Sequence, residues 1–329
     1  MAQQQNKPAS AGVPMPDGAP TACLAAIDVT AAERERETLS DASLASALAA
    51  LHCDGVVAVR GAFERTHADA LATKMLDDLV DFDAGPRGPL RNHWQGLRPP
   101  PIHPHLHRDI VFNEQAIAIM RGFLGDDIVL TAYGANTAFA VGSPDLQRAH
   151  IDHGEPQPKG APCTAVAIQA VLVDTDEDNG ATEYWPGSHL AAHVGVLSDR
   201  WPSVAQQATW PRGSGRFACP RGTLLIRDLA MWHRGMPNRT PVHRPMVTMI
   251  VRANSDLRRK LRAGERPSTG FEAQSDTHEF WRHPHLWAAA WLLPEVDYMF
   301  ADAHSHPAER DDADAGKLVV PLARAEPRL

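Results

Sequence analysis

The stretch "RAHIDHG", residues 148–154, places ionisable side chains between two apolar runs. The run before it, 128–133, and the run after it, 164–168, both have the composition of buried β-strands. On a strand, positions i and i+2 point to the same face, so His150 and Asp152 can present one nitrogen and one oxygen to a single metal ion. His153 is out of phase with them, which directs it away from the metal or toward a substrate. The stretch is either a salt-bridged loop or one edge of a metal site.

A second stretch, "GTLLIRDLAMWHRGMPNRTPVHRPMV" at 222–247, supplies a third candidate ligand. A predicted strand from Thr223 to Arg227 leads through a turn to His233, and Arg244 opens another strand. Two histidines and one carboxylate form the facial triad of non-haem Fe(II) oxygenases, which leaves three coordination positions open. The predicted metal ligands are therefore His150, Asp152 and His233.

Around these stretches the pattern predicts a mainly β fold with flanking helices. Short β-branched runs interrupted by Gly and Pro, near 127–140, 164–174, 223–228 and 246–252, favour a sandwich, jelly roll or barrel. Helices are predicted after a Ser40–Asp41 cap, over 66–80, and between Asn113 and Gly125. A loop rich in Pro, Gly and His is expected over about 83–108.

The two ends of the chain differ from this pattern. Residues 1–37 lack any sustained period, and we expect a disordered or loosely docked tail. Residues 38–329 are expected to form a single domain, with its β core at about 127–255 and a C-terminal extension at 256–329. An aromatic cluster in the extension is expected on a helix that ends at Pro294. The cluster consists of Phe280, Trp281, Trp287 and Trp291.

The composition of the chain argues against some classes of binding partner. The net charge is −8 and no Lys/Arg run stands out, which argues against nucleic acid and anionic membranes. No apolar stretch approaches the roughly 20 residues that a membrane span needs. The four cysteines lie far apart, which favours free thiols in a reducing compartment and hence a cytoplasmic protein. We expect a monomer or homodimer that acts on a small molecule.

Four stretches carry a family resemblance: "GVVAVRGAF" (55–63), "QRAHIDHG" (147–154), "DTDEDNGATEYWPGSH" (174–189) and "WHRGMPNRT" (232–240). In this order and spacing the chain resembles the phytanoyl-CoA dioxygenase family of Fe(II)/2-oxoglutarate-dependent oxygenases. The resemblance implies a double-stranded β-helix core, which is a jelly roll of the cupin type. It also implies oxidation of an unactivated carbon by O2, favouring hydroxylation, with release of succinate and CO2.

The resemblance also implies roles for single residues. His150, Asp152 and His233 match the iron ligands, and Arg244 matches the arginine that pairs with the distal carboxylate of 2-oxoglutarate. A planar guanidinium suits that role because it can grip a carboxylate with two parallel hydrogen bonds. Thr182 matches a hydroxyl that shares this carboxylate, and Gln147 matches an amide near the metal. The presence of Asp152 argues against halogenation, because halogenating relatives lack this carboxylate.

Several alternatives stay open. Asn136, Tyr184 and His153 are candidate substrate contacts. Near Arg244, both Arg239 and His243 could compete for its role. In "PIHPHLHRD" (101–109) three histidines alternate, which fits a second metal site or a substrate-facing loop, although the prolines disfavour a central strand. These histidines are His103, His105 and His107.

Two other functions also fit a metal site in such a fold. One is a cupin-like metal-binding protein without turnover, and the other is an iron oxidase or isomerase that does not use 2-oxoglutarate. Arg244 argues against the first, because a pure metal binder does not need a guanidinium placed for a dicarboxylate. Stoichiometric release of succinate would exclude the second.

Overall fold

The computed structural model describes residues 24–84, 94–95, 98–140, 147–152, 162–192, 201–255, 271–277, 279–288, 290–293 and 318–319. Within these ranges the helices are α1 (Ala31–Glu35), α2 (Asp41–Asp54), α3 (Arg65–Ala84), α4 (Arg108–Val111), α5 (Glu114–Leu124), α6 (Ser188–Ala192) and α7 (Val204–Ala208). A 3-10 turn spans Ser275–Thr277.

The strands fall mainly in the second half of the chain. They are β1 (Ala26–Asp28), β2 (Val56–Arg60), β3 (Trp94–Gln95), β4 (Ile128–Ala135), β5 (Thr137–Ala138), β6 (Ala165–Val171), β7 (Glu183–Tyr184), β8 (Gly215–Arg216), β9 (Thr223–Asp228), β10 (His233–Arg234), β11 (Met246–Ala253), β12 (Phe271–Gln274), β13 (Trp287–Ala288), β14 (Ala290–Leu293) and β15 (Leu318–Val319). The four β regions predicted from sequence are confirmed, with bounds within a few residues.

A seven-stranded sheet forms the larger layer, in the order β1-β2-β9-β6-β11-β4-β13. Its five inner strands pair antiparallel, whereas β1 and β13 pair parallel at the two edges. A smaller antiparallel sheet, β10-β7-β8, is extended by an isolated bridge between His150 and His233. Side chains from both sheets share one buried cluster, which includes Ala58, Leu225 and Tyr184. The two sheets therefore face each other, as the jelly-roll prediction requires.

The three long helices form as the local signals predict. Ser40 caps α2 by accepting a hydrogen bond from the Ser43 N–H, and Gly55 ends that helix at a φ of 80°. Asn113 caps α5 by accepting from the Ala116 N–H at 2.9 Å. Apolar side chains of α2, α3 and α5 bury against the outer face of the large sheet, in the same cluster as residues of β4, β6 and β11. The helices thus cover one face of this sheet, and the other face is left for the site.

The expectation of a loose tail is wrong for residues 24–37. Strand β1 pairs with β2 through Ala26 and Ala58, and α1 begins at a capping box formed by Thr30 and Glu33. Apolar burial of Ile27 and this reciprocal cap order a segment whose composition lacks a clear period. Residues 1–23 lie outside the described part of the chain.

The predicted C-terminal aromatic helix is also wrong. Residues 287–293 contain two strands, and β13 adds to the edge of β4 by pairing Trp287 with Val129. The Ala-rich sequence favours a helix locally, but free edges of neighbouring strands offer backbone hydrogen bonds that override this preference. Phe280 and Trp281 lie in the turn before these strands, and Pro294 lies outside the described residues.

Candidate metal centre

His150, Asp152 and His233 come together as the spacing predicts. Their ligand atoms all lie within 4.8 Å of one another. The two histidine Nε2 atoms face the carboxylate from either side, each 3.4 Å from one oxygen of Asp152. Backbone hydrogen bonds between His150 and His233 fix the two rings side by side, and the Asp152 N–H donates to the Leu229 carbonyl at 2.9 Å. The three candidate ligand atoms thus converge on one point at the edge of the small sheet.

Both imidazoles are oriented as metal ligands. The Nδ1 of His150 lies 2.9 Å from the Arg148 carbonyl oxygen, and the Nδ1 of His233 lies 3.1 Å from that of Met231. A carbonyl can only accept, so Nδ1 carries the proton and Nε2 keeps its lone pair toward the site. Burial, reinforced by the Arg227 charge, lowers the pKa of His233 well below its ordinary value, which favours the neutral ring. Two imidazoles and one carboxylate fit a divalent iron ion.

Arg227 is a site residue that the sequence analysis did not identify. It lies on β9 and its guanidinium pairs with Oδ2 of Asp152. Burial alone would raise the pKa of Asp152, but its interactions with His233 and with the Arg227 guanidinium outweigh burial and hold that pKa well below its usual range. The signal was present in "TLLIRD", because an arginine inside a buried strand needs an anionic partner. The sequence does not say which carboxylate that partner is.

Arg244 is a second buried arginine of the interior. It lies just before β11, is 4% exposed, and donates to the carbonyls of Asn179 (3.2 Å) and Gly180 (2.9 Å). No carboxylate of the described residues pairs with it. Burial lowers the pKa of Arg244 to about 10, so the side chain is still charged at neutral pH.

Arg239 and His243, the two alternatives to Arg244, lie in different surroundings. Arg239 is exposed. His243 is partly buried, and its Nδ1 accepts a hydrogen bond from the Ala140 N–H at 2.9 Å. The structure therefore leaves Arg244 as the buried cation of this segment.

Tyr184 packs beside one of the metal ligands, His233. It is fully buried, its hydroxyl donates to Gln169 at 2.7 Å, and its ring stacks beside His233 at a centroid distance of 6.4 Å. Burial raises the pKa of Tyr184 to about 12, although Arg227, a hydrogen bond with Thr182 and Arg244 act in the opposite direction. Tyr184 forms the wall behind His233 and does not face solvent.

The remaining predicted residues are less closely tied to the triad. Gln147 lies beside the strand of His233, and its side-chain oxygen accepts from the Gly235 N–H at 2.7 Å. Asn136 is partly buried between β4 and β5, where its backbone N–H donates to the Met246 carbonyl at 2.8 Å. His153 lies outside the described residues. The structure therefore brings together the triad, with Tyr184 beside His233 and Gln147 beside the strand of His233, and it buries Arg244 against the Asn179–Gly180 turn.

An aromatic ring and an exposed guanidinium border the metal donors. The ring of Trp201 packs at 5.5 Å from the His150 ring, and the Arg148 guanidinium lies 4.8 Å over the same indole. Arg148 and His150 are two residues apart on one strand-like segment, so both point to the same face. The segment around Trp201, which lies outside the four sequence stretches that carry the resemblance, thus reaches the site.

The alternating histidines do not form a second metal centre within the described chain. His103 is exposed, whereas His107 stacks on His67 at a centroid distance of 4.3 Å. Burial lowers the pKa of both His105 and His107. Among the described residues, the only group of three or more metal donors is the triad.

No helix in the described ranges is long and apolar enough to cross a membrane.

The phytanoyl-CoA dioxygenase family model matches residues 51–246, more than half of the chain. The chain belongs to the phytanoyl-CoA dioxygenase family. It is therefore a non-haem iron, 2-oxoglutarate-dependent oxygenase with a jelly-roll core, and the match contains the triad and Arg244. The family expected from the four sequence stretches is confirmed.

Two solved structures align with about two thirds of this chain. HygX from Streptomyces hygroscopicus, with nickel and 2-oxoglutarate bound, aligns at a TM-score of 0.47 with 14% identity, covering 65% of this chain and 87% of that chain. The apo form of the non-heme monooxygenase ThoJ aligns at a TM-score of 0.45 with 21% identity, covering 64% of this chain and 77% of that chain.

Proposed function

We propose that this protein is an Fe(II)/2-oxoglutarate-dependent dioxygenase that hydroxylates an unactivated carbon of a small organic molecule. The observation that carries the proposal is the buried guanidinium of Arg244, which has no carboxylate partner among the described residues. A buried unpaired charge is costly, so an arginine in this state favours an anionic ligand. Tyr184 stacks beside His233, and the charge of Arg244 partly offsets the rise that burial causes in the Tyr184 pKa, which supports the proposal that one dicarboxylate contacts both Arg244 and the metal.

In this proposal the triad holds Fe(II) and leaves three coordination positions open. Arg244 binds the distal carboxylate of 2-oxoglutarate and the Thr182 hydroxyl shares it. Gln147 assists at the metal end through the NH2 of its amide, because its oxygen is already bonded to Gly235.

When iron and 2-oxoglutarate are bound, their reaction with O2 supplies the oxidising power: one oxygen atom enters succinate, the other becomes the hydroxyl of the product, and CO2 leaves. The protein orients the reactants and excludes water. Arg244 and Thr182 fix the dicarboxylate at one end of the site. The buried ring of Tyr184 packs against the His233 ring and closes that side of the metal site. The partly exposed Trp201 borders the side from which the substrate approaches.

The co-substrate and the ligands can be tested without knowing the substrate. Anaerobic protein with Fe(II) and 2-oxoglutarate should develop a weak visible metal-to-ligand charge-transfer band. The band should be lost in His150→Ala and kept in His243→Ala, a matched histidine outside the triad. A wild-type protein without the band would contradict the proposal, and a band unchanged in His150→Ala would contradict the ligand assignment.

Two further measurements separate the remaining alternatives. Titration with 2-oxobutyrate, which lacks the distal carboxylate, should require a much higher concentration than titration with 2-oxoglutarate. In air, slow release of succinate should accompany 2-oxoglutarate consumption. Metal binding without succinate would favour a non-catalytic metal-binding protein or an iron enzyme that does not use 2-oxoglutarate.

A further inference from the structure

Arg227 is a buried charge that the proposed roles do not use. It lies on β9, near the centre of the large sheet, and is 1% exposed. Its neighbours in register are Val56 on one side and Ala167 on the other. A guanidinium in such apolar surroundings is costly unless its donors are satisfied. Its contacts should therefore reveal what holds it there.

The contacts of Arg227 point to one oxygen of the metal-ligand carboxylate. Its Nη2 donates to Oδ2 of Asp152, and its Nη1 donates to the Asp228 carbonyl at 3.3 Å. Its Nε is buried and has no hydrogen-bond partner among the residues that the structure describes. The pairing with Asp152 is thus the one ionic contact of this side chain in the described chain, and it involves Oδ2 and not Oδ1.

A carboxylate can bind a divalent metal through one oxygen or through both. Two-oxygen binding by Asp152 would occupy four positions of an octahedral ion together with the histidines. Only two would then be left, although 2-oxoglutarate needs two and O2 needs a third. Some contact must therefore keep one carboxylate oxygen away from the metal.

We propose that Arg227 is a positioning residue that holds Oδ2 of Asp152, so that the carboxylate binds the metal through Oδ1 alone. Each oxygen of Asp152 lies 3.4 Å from one histidine Nε2, Oδ1 from that of His150 and Oδ2 from that of His233, and Arg227 donates to Oδ2 alone. Charge-assisted hydrogen bonds from arginine to carboxylate are strong and directional, so they can compete with a second metal–oxygen bond. This inference rests on the proposed function, because it explains how three positions stay open for the co-substrate and O2.

The wild-type protein itself provides the first test. A crystal structure of the Mn(II)–2-oxoglutarate complex should show one short bond from the metal to Asp152 and the other oxygen hydrogen-bonded to Arg227. Two equal metal–oxygen bonds to Asp152 would overturn the inference while leaving the metal site intact. A protein that binds no metal at the triad would overturn the proposed function instead.

Substitution provides the second test. In Arg227→Met we expect both oxygens of Asp152 to bind Mn(II), and Arg227→Lys should partly restore one-oxygen binding. Succinate release should fall by roughly 10- to 100-fold in Arg227→Met, the loss typical when a hydrogen-bond partner of a metal ligand is removed. If Arg227→Met keeps one-oxygen binding, the inference is wrong.

A matched control separates positioning from general destabilisation. Arg234 is another largely buried arginine, and it pairs with Glu183 on the small sheet. Arg234→Met removes a comparable ion pair without touching Asp152. It should lower stability but leave Asp152 bound through one oxygen. A switch to two-oxygen binding in this control would show that the change reflects loosening of the sheet, which would also overturn the role of Arg227.

Discussion

The burial and hydrogen bonds of Arg244 indicate the kind of ligand that this side chain suits. Its guanidinium is removed from water, and the carbonyls of Asn179 and Gly180 satisfy only part of its five N–H donors. Carbonyl dipoles stabilise the charge less than an anion would. Arg244 is therefore suited to bind a carboxylate. Its substitution should weaken binding of the dicarboxylate more than binding of the metal.

We expect Arg244→Gln to weaken 2-oxoglutarate binding by roughly 100-fold, about 3 kcal/mol, because a buried charge pair loses one partner. Binding of 2-oxobutyrate should change little, since this acid has no distal carboxylate. Both affinities can be measured from the charge-transfer band. Arg239→Gln, which changes an exposed arginine of the same segment, is the control. Equal losses for the two acids would argue against a contact between Arg244 and the distal carboxylate.

The turn before β7 carries the two backbone carbonyls that accept hydrogen bonds from Arg244. Gly180 adopts a φ of 86°, and a Cβ placed there would lie 2.8 Å from the Met236 carbonyl oxygen. Only glycine fits both the left-handed backbone and this close approach. The packing of the turn against the segment after His233 thus supports the co-substrate end of the site.

Gly180→Ala should cost about 1–3 kcal/mol of stability through backbone strain, with a further loss from the steric contact. The displaced carbonyl should also weaken 2-oxoglutarate binding. Gly213→Ala is a matched control, because Gly213 has a φ of 63° but nothing within 4 Å of an added Cβ. Urea unfolding and co-substrate titration measure the two effects. Equal behaviour of the two variants would show that the close approach has no consequence.

The link between α1 and α2 depends on the carboxylate of Glu33. This side chain accepts hydrogen bonds from the backbone N–H groups of Thr30 (2.9 Å) and Ser40 (2.8 Å) and from the Ser43 hydroxyl (3.0 Å). The backbone hydrogen bond from Ser40, followed by that from Thr30, lowers the pKa of Glu33 to about 2 from an ordinary value of 4.5. The stabilisation is present above the unfolded-state pKa and is lost as pH falls toward 2.

Glu33→Gln should therefore destabilise the protein at pH 7 by about 1.5–3 kcal/mol, the usual contribution of hydrogen bonds to charged groups. The difference from wild type should shrink as the pH drops from about 4.5 toward 2, where the wild-type carboxylate becomes protonated. Urea unfolding at several pH values measures this difference. Glu35→Gln, a nearby exposed glutamate, should show no such trend. A pH-independent difference for Glu33→Gln would contradict the assignment.

The hydrophobic core of the molecule continues beyond the family match, which ends at residue 246. Trp281 is 2% exposed and packs against Tyr133 and Phe112 at centroid distances of 5.6 and 6.3 Å. His283 pairs with Glu114 of α5 at 2.8 Å. The segment 279–288 thus joins the helical layer to the edge of the large sheet at β4.

We propose that this segment unfolds together with the jelly roll, as one unit. Trp281→Ala should then cost about 3–5 kcal/mol and shift the entire unfolding transition. Val242→Ala, which changes an exposed side chain, should have little effect. Circular dichroism during urea unfolding measures both. If Trp281→Ala left the main transition in place, the C-terminal segment would be a separate unit.

Features that depend on near neighbours along the chain could be predicted from the sequence. The caps at Ser40 and Asn113 follow from hydrogen bonds across three residues, and the shared direction of His150 and Asp152 follows from the two-residue repeat of a strand. The spacing of the four family stretches located His233 and Arg244. These signals are local, so they survive without knowledge of the fold.

Contacts between groups that are distant along the chain could not be predicted without the fold. Arg227 and Asp152 are 75 residues apart, and the sequence offers many carboxylates to a buried arginine. Likewise, β13 is a strand because the edge of β4 supplies hydrogen bonds that the Ala-rich sequence cannot reveal. Ion pairs and edge pairing depend on contacts across the assembled sheets, where the cost of burying a charge or a backbone group selects the partner.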